Sequence, residues 1–298
     1  MNKKTFIAYD GKEIHYREWL PEGEKKGILQ ISHGMAEGIA RYEKFAEFMA
    51  DNGYIVIGDD HRAHGETDPG RTGYADGDIF YDTLKDMDML GRIYKEQYPS
   101  LQLIIFGHSY GSFLTQRYIE LYGKNVVGAI LGGSAYMRSP AVPVGKIISR
   151  HNCNFNRSKK TATLLKKASF DMYNRKFKEG TFISSIKEEC DIYNAHPDCN
   201  FDLSNAFYLY FFNGLSALYT KESYQNIDIN KPILIISGKD DPVGSFGKST
   251  TKLATFYRKK VGVKKVILKL YDGVRHEYLN DTSRADEYKT ILDFCNGI

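Results

Sequence analysis

Five residues near the middle of the chain constrain its fold more than any others: Gly107-His108-Ser109-Tyr110-Gly111. Leu101 to Phe106 before them is an apolar run of strand length. Ser112 to Tyr122 after them carries Phe113, Leu114, Tyr118 and Leu121 at helical spacing. A strand, a Gly-x-Ser-x-Gly turn and a helix describe a nucleophile elbow. Such a turn strains the serine backbone, and the flanking glycines remove the bulk that would block it. The following helix aims its free N–H groups and positive end at the reacting atoms.

Other segments fit a sheet around this turn. Thr5 to Tyr9 and Glu13 to Trp19 alternate like strands about Asp10-Gly11, a favoured hairpin turn. Gly27 to His33, Tyr54 to Gly58, Val126 to Leu131, Pro232 to Ser237 and Lys265 to Tyr271 are further strands. Helices are expected over Arg41 to Asn52, Phe80 to Tyr98, Thr250 to Val261 and Ser283 to Phe294. This alternation predicts an α/β fold, a mostly parallel central sheet with helices on both faces. From Ala135 to about Tyr224 the strand pattern stops. Residues 1–134 and 226–298 are expected to form the core, and 135–225 a helical cap inserted over the carboxyl ends of the strands.

The insertion is rich in aromatics, among them Phe201, Phe207, Tyr208, Phe211 and Phe212. Between Arg138 and Lys187 twelve Lys/Arg stand against Asp171 and Glu179. A solvated surface over an aromatic cap core explains both. So does a cap that admits an acyl chain and favours an anionic head group or transient contact with a membrane surface.

A serine hydroxyl needs a general base. Of eight histidines only His151, His196 and His276 follow Ser109, and only His276 follows a sheet strand. The acid that orients it should lie between Ser109 and His276 at a strand end. Asp240 and Asp241 both qualify, and Asp272 is a weaker third. The oxyanion of a tetrahedral intermediate needs two N–H donors. Tyr110, just after the nucleophile, supplies one, and Met35, after His33-Gly34, the other. His33, His61 and His64 are expected to be supporting loop residues.

These motifs together resemble the α/β-hydrolases of the monoacylglycerol lipase/lysophospholipase branch, close to the serine aminopeptidase-like hydrolases. The resemblance rests on His33-Gly34-Met35-Ala36-Glu37 with Arg41-Tyr42, and on Asp60-His61-Arg62-Ala63-His64-Gly65. It continues through the elbow, Gly238-Lys239-Asp240-Asp241-Pro242-Val243 and Tyr271-Asp272-Gly273-Val274-Arg275-His276-Glu277. It implies Asp241 as the acid and a lipid ester, a monoacylglycerol or lysophospholipid, as substrate. An aminopeptidase-like enzyme or small-ester carboxylesterase of the same fold is the alternative within enzymes. A catalytically inactive binding protein of this fold is the alternative of another class. Three residues depart from the family pattern: Ala63 and Ser112 stand where glycine is usual, and Tyr110 where methionine is common.

The remaining features exclude more than they assign. A net charge of +4 over 298 residues does not point to nucleic acid. No run reaches the roughly 18 apolar residues of a membrane span, and the start of the chain carries no apolar signal core. Cys153, Cys190, Cys199 and Cys295 show no metal or disulfide spacing, which fits a cytoplasmic protein. No cofactor or metal is expected. His61-x-x-His64 lacks a third ligand. Gly247-Lys248-Ser249-Thr250 resembles the end of a phosphate loop, but Pro242 stands where the first glycine is required.

Overall fold

A computed structural model describes the chain except for residues 71, 72, 156 and 179; Glu179, counted above among the charges of the insertion, thus lies outside the described residues. Eight strands form one sheet: β1 (Asn2–Ile7), β2 (Glu13–Trp19), β3 (Gly27–Ser32), β4 (Tyr54–Asp59), β5 (Leu103–His108), β6 (Gly128–Gly132), β7 (Ile233–Gly238) and β8 (Val266–Tyr271). Their order is β1-β2-β4-β3-β5-β6-β7-β8. β1 and β2 pair antiparallel, as do β2 and β4, and every later pair is parallel.

The central strands are apolar at successive positions because both of their faces are covered. Alternate residues go to opposite sides. Ile28, Ile105, Leu131 and Ile235 join one cluster; Leu29, Ile31, Ile104, Phe106, Ile130 and Ile236 join the other. The first lies beneath α2 (Ile79–Gln97) and α3 (Tyr110–Leu121), the second beneath α1 (Glu43–Asp51) and, at the end of the chain, the helix Arg284–Asn296.

Between β6 and β7 run α4 (Ala141–Asn154), α5 (Thr163–Lys166), α6 (Met172–Asn174), α7 (Lys187–Ala195), α8 (Asn205–Ala217) and α9 (Lys221–Tyr224). Among the described residues this stretch contains no strand, only one isolated bridge between Thr161 and Ser204. Ser204 caps α8 by accepting from Phe207 N at 3.1 Å. α8 lays Phe211 against Phe113 of α3. α4 comes so close to α8 that a Cβ at Gly145 would run into the Phe212 ring. After β7 come α10 (Lys248–Thr255), a π-helical turn (Phe256–Val261) and, after β8, α11 (Arg284–Asn296).

Boundaries differ locally from the expectation. β1 stops at Ile7 because Ala8 N bonds Lys12 O at 2.8 Å and closes the loop there. The elbow strand runs on through Gly107 and His108, and α3 begins at Tyr110, directly after the serine.

Candidate active site

Ser109 sits at φ 50° and ψ −115°, a region that a side chain occupies only when its surroundings force it. Its N–H donates to Gly132 O of β6 at 2.9 Å. A Cβ on Gly107 would meet Gly111 O and Thr115 Oγ1, and one on Gly111 would meet Ser32 O and His33 O. Both glycines are therefore steric requirements of the turn. Ser112 uses its hydroxyl to hold the elbow from inside, donating to Ser109 O at 2.6 Å.

Ser109 Oγ lies 2.8 Å from His276 Nε2, and His276 Nδ1 lies 2.9 Å from Asp241 Oδ2. Asp241 is fully buried and also accepts from Val243 N at 2.8 Å and Ser237 Oγ at 3.2 Å. Asp240 is exposed, and Asp272 pairs with Lys239 at the surface. Geometry thus separates the three aspartates that spacing leaves together. Burial works against a charged imidazole at His276. The Asp241 charge and hydrogen bond, with Glu277 and Glu37 behind them, outweigh it and raise its pKa above the usual 6.5.

As the first residue of α3, Tyr110 has no intrahelical acceptor for its N–H. Among the described residues no carbonyl takes the N–H of Met35. Both residues line the cavity that contains Ser109. The loop carrying Met35 is fixed by three neutral histidines. His64 Nε2 accepts from Ala36 N at 3.2 Å, His33 Nε2 accepts from His61 N at 2.9 Å, and the His33 and His61 rings stack at 4.0 Å. Burial pushes His33 and His64 well below the usual imidazole range and His61 down to about 3. It pushes Asp59, bonded to His61 at 2.8 Å, up to about 7, so this pair avoids separated charge. Ala63 adopts φ 70°, the left-handed conformation that accounts for glycine being usual there.

The cavity measures about 290 Å³. Most of its wall is apolar, including Ile148, Leu165, Phe211 and Phe212, and among the described residues no Lys or Arg lines it. Its charged groups near Ser109 are Glu37 and Glu277, single carboxylates in loops to which their sequence context assigns no role. Glu37 accepts from Gly34 N and from Tyr42 OH at 2.7 Å, and burial, aided by the Glu277 charge, raises it to about 7. Glu277 pairs with the buried Arg41. Ten of the twelve basic residues between Arg138 and Lys187 are exposed, and Lys146 and Lys166 are half-buried. They face away from the cavity. The aromatics Tyr208, Phe211 and Phe212 serve as both core and cavity wall.

The loop bearing His276 is held from the helical stretch. His276 N donates to Phe182 O at 3.1 Å and Glu277 N to Ile183 O at 2.7 Å. Arg275 Nη1 donates to Thr181 O at 2.8 Å and Ser184 O at 3.0 Å. Asp281, fully buried, accepts from Arg275 N at 2.9 Å, Ser185 N at 3.0 Å and Thr282 N at 2.8 Å, and from Ser185 Oγ.

Residues 23–283 match the family model described as serine aminopeptidase, S33. The chain is 24% identical to human monoglyceride lipase over 91% of its length and 82% of that protein. It is 29% identical to a monoacylglycerol lipase of Mycolicibacterium smegmatis over 45% of the chain and 47% of the relative. A thermostable carboxyl esterase from Bacillus coagulans, solved with glycerol, superposes with a TM-score of 0.90 at 28% identity, covering 100% of this chain and 98% of that one. A soluble variant of Saccharomyces cerevisiae monoglyceride lipase shares the fold, with a TM-score of 0.80 at 20% identity over 99% and 94% of the two chains.

Proposed function

Since the chain belongs to the serine aminopeptidase S33 family, in the monoacylglycerol lipase branch of the α/β-hydrolases, we propose that it cleaves the ester of a monoacylglycerol by way of an acyl-enzyme. In this reading Ser109 Oγ attacks the ester carbonyl while His276 Nε2 takes its proton, and Asp241 steadies the imidazolium. The N–H groups of Met35 and Tyr110 receive the oxyanion. His276 returns the proton to the leaving alcohol, then activates the water that frees the acid. The observation that carries the reading is the hydrogen-bonded line Ser109–His276–Asp241 at the polar end of an apolar cavity.

Residues 135–225 act as the cap, and their apolar cavity wall takes the acyl chain. Glu37 and Glu277 accept hydrogen bonds from a neutral polyol head. An anionic head such as that of a lysophospholipid meets two carboxyl groups and, among the described residues, no cation, which argues against it. The exposed Val144, Ile147, Leu164 and Met172, among the exposed basic residues, give the cap a surface for transient contact with lipid aggregates.

The experiment is fluorophosphonate labelling, followed by an ester panel that varies chain length and head group. The expected result is a label on Ser109, absent in Ser109→Ala, and preference for monoacylglycerol over lysophospholipid. A folded protein that takes no label would overturn the reading. Glu37 and Glu277 also favour a second reading, in which they hold the ammonium of a peptide N-terminus. Faster turnover of amino-acid anilides than of esters would select it.

A further inference from the structure

We infer that a second lipid site lies behind the segment Met137–Val142 and takes the carboxylate of a single-chain fatty acid. The choice of ligand rests on the proposed reaction, of which such an acid is the product. Met137 and Val142 line the Ser109 cavity and also a hollow of about 670 Å³ outside it. A second hollow of about 470 Å³ adjoins the first, sharing Arg138, Tyr219 and Lys260 with it.

Five exposed cations line these hollows: Arg138, Lys221, Lys252, Lys259 and Lys260. Among the described residues no carboxylate lines them and none of the five forms an ion pair. The floor is apolar, built from the buried Val142, Leu215, Leu218 and Phe256. Lys259 and Lys260 end a helical turn, where cations suit the carbonyl end. That does not account for Lys221, which begins α9 at the end that disfavours a cation, or for Arg138, which lies in no helix. A ring of positive charge over an apolar floor suits one anionic head on one apolar chain.

The groove also has a polar connection to the nucleophile. Tyr219, in its wall, holds the left-handed φ of 67°, a strained conformation for a tyrosine. Its hydroxyl donates to Gln116 Oε1 at 2.9 Å, and Gln116 Nε2 donates to Ser134 Oγ at 3.0 Å. Ser134 Oγ lies 2.8 Å from Ser112 Oγ, which bonds the Ser109 carbonyl. An occupant that shifts Tyr219 therefore acts on the elbow, and the acid feeds back on its own formation.

The test is calorimetric titration of the Ser109→Ala chain with dodecanoate, with and without Arg138→Gln/Lys260→Gln. Two binding events are expected, one in the cavity and one in the groove. The second should weaken at least tenfold in the double variant, weaken with salt, and be missing for dodecanol. A single event that the variant leaves unchanged, or equal filling by dodecanol, would overturn the inference. So would inorganic phosphate binding as tightly as dodecanoate. In the otherwise wild-type chain, dodecanoate should lower kcat for a soluble acetate ester, and in the double variant it should only raise KM. Identical inhibition in both would remove the feedback. If no ester is cleaved at all, the proposed function fails while the titration still reports on the groove.

Discussion

The two halves of the helical stretch over the site are attached in different ways. Residues 181–199 are bonded to the core through main-chain carbonyls of Phe182 and Ile183, through Asp281, and through Glu189. Glu189 faces Arg284 at 3.4 Å, Lys44 at 3.5 Å and Arg41 at 3.9 Å. Among the described residues, 141–174 have no comparable set of bonds to the core. α4 rests on the aromatic side of α8 and shows Val144 and Ile147 to solvent. Side-chain packing can slide, whereas a network of buried hydrogen bonds has to break before its parts separate. Residues 141–174 are suited to yield to an entering lipid, and residues 181–199 to keep the His276 loop in register.

Removing the hub of the fixed half should do most damage. Asp281→Ala leaves three N–H groups and a hydroxyl without their acceptor, and about 3 kcal/mol of stability should be lost, read as a lower urea midpoint. Turnover of a soluble ester should fall at least tenfold in the protein that remains folded. Little change in either quantity would break the contrast between the halves.

The pH dependence sharpens it. In the proposed reaction His276 must be neutral to act as base, and its pKa is raised. In the wild type kcat/KM should therefore be low in acid and rise with pH through a midpoint above 6.5. Asp281→Ala should move that midpoint down, because a loosened loop weakens the Asp241 contact. Substitutions on α4 should leave it in place. Glu189→Gln should cost about 1 kcal/mol, since Lys44 and Arg284 are partly solvated and Arg41 keeps Glu277. Ile147→Ser with Leu164→Ser should change stability by less than about 0.5 kcal/mol. Turnover of aggregated lipid should drop while that of a soluble acetate ester does not. Equal losses on both substrates would place these residues in the site rather than at its entrance.

What could be read from sequence divides along similar lines. β3 to β7 are legible because strands covered on both faces are mostly apolar runs, and Ser109 because it follows such a strand, whereas His276 follows β8, which is only half-buried. Asp241 and Asp240 are adjacent in one turn, and only the fold decides which one is buried. Glu37, Glu277 and Asp281 are single carboxylates in loops, where no periodicity marks them. Part of the difference between the two halves of the helical stretch lies in main-chain carbonyls, which have no residue identity. The outward direction of the basic residues was equally hidden, since short helices joined by turns set no common face.

The strained turn at Ser109 carries a consequence for how the chain matures. Its conformation is set by Gly132 of β6, by the steric fit of Gly111 against Ser32 at the end of β3 and the adjoining His33, and by β5 itself. Those three strands are neighbours in the sheet, but β3 is separated from β5 in the chain by β4 and α2. A partly synthesised or misassembled chain has the serine but not the geometry that would make it reactive. Under the proposed reaction, hydrolytic activity thus reports assembly of the central sheet.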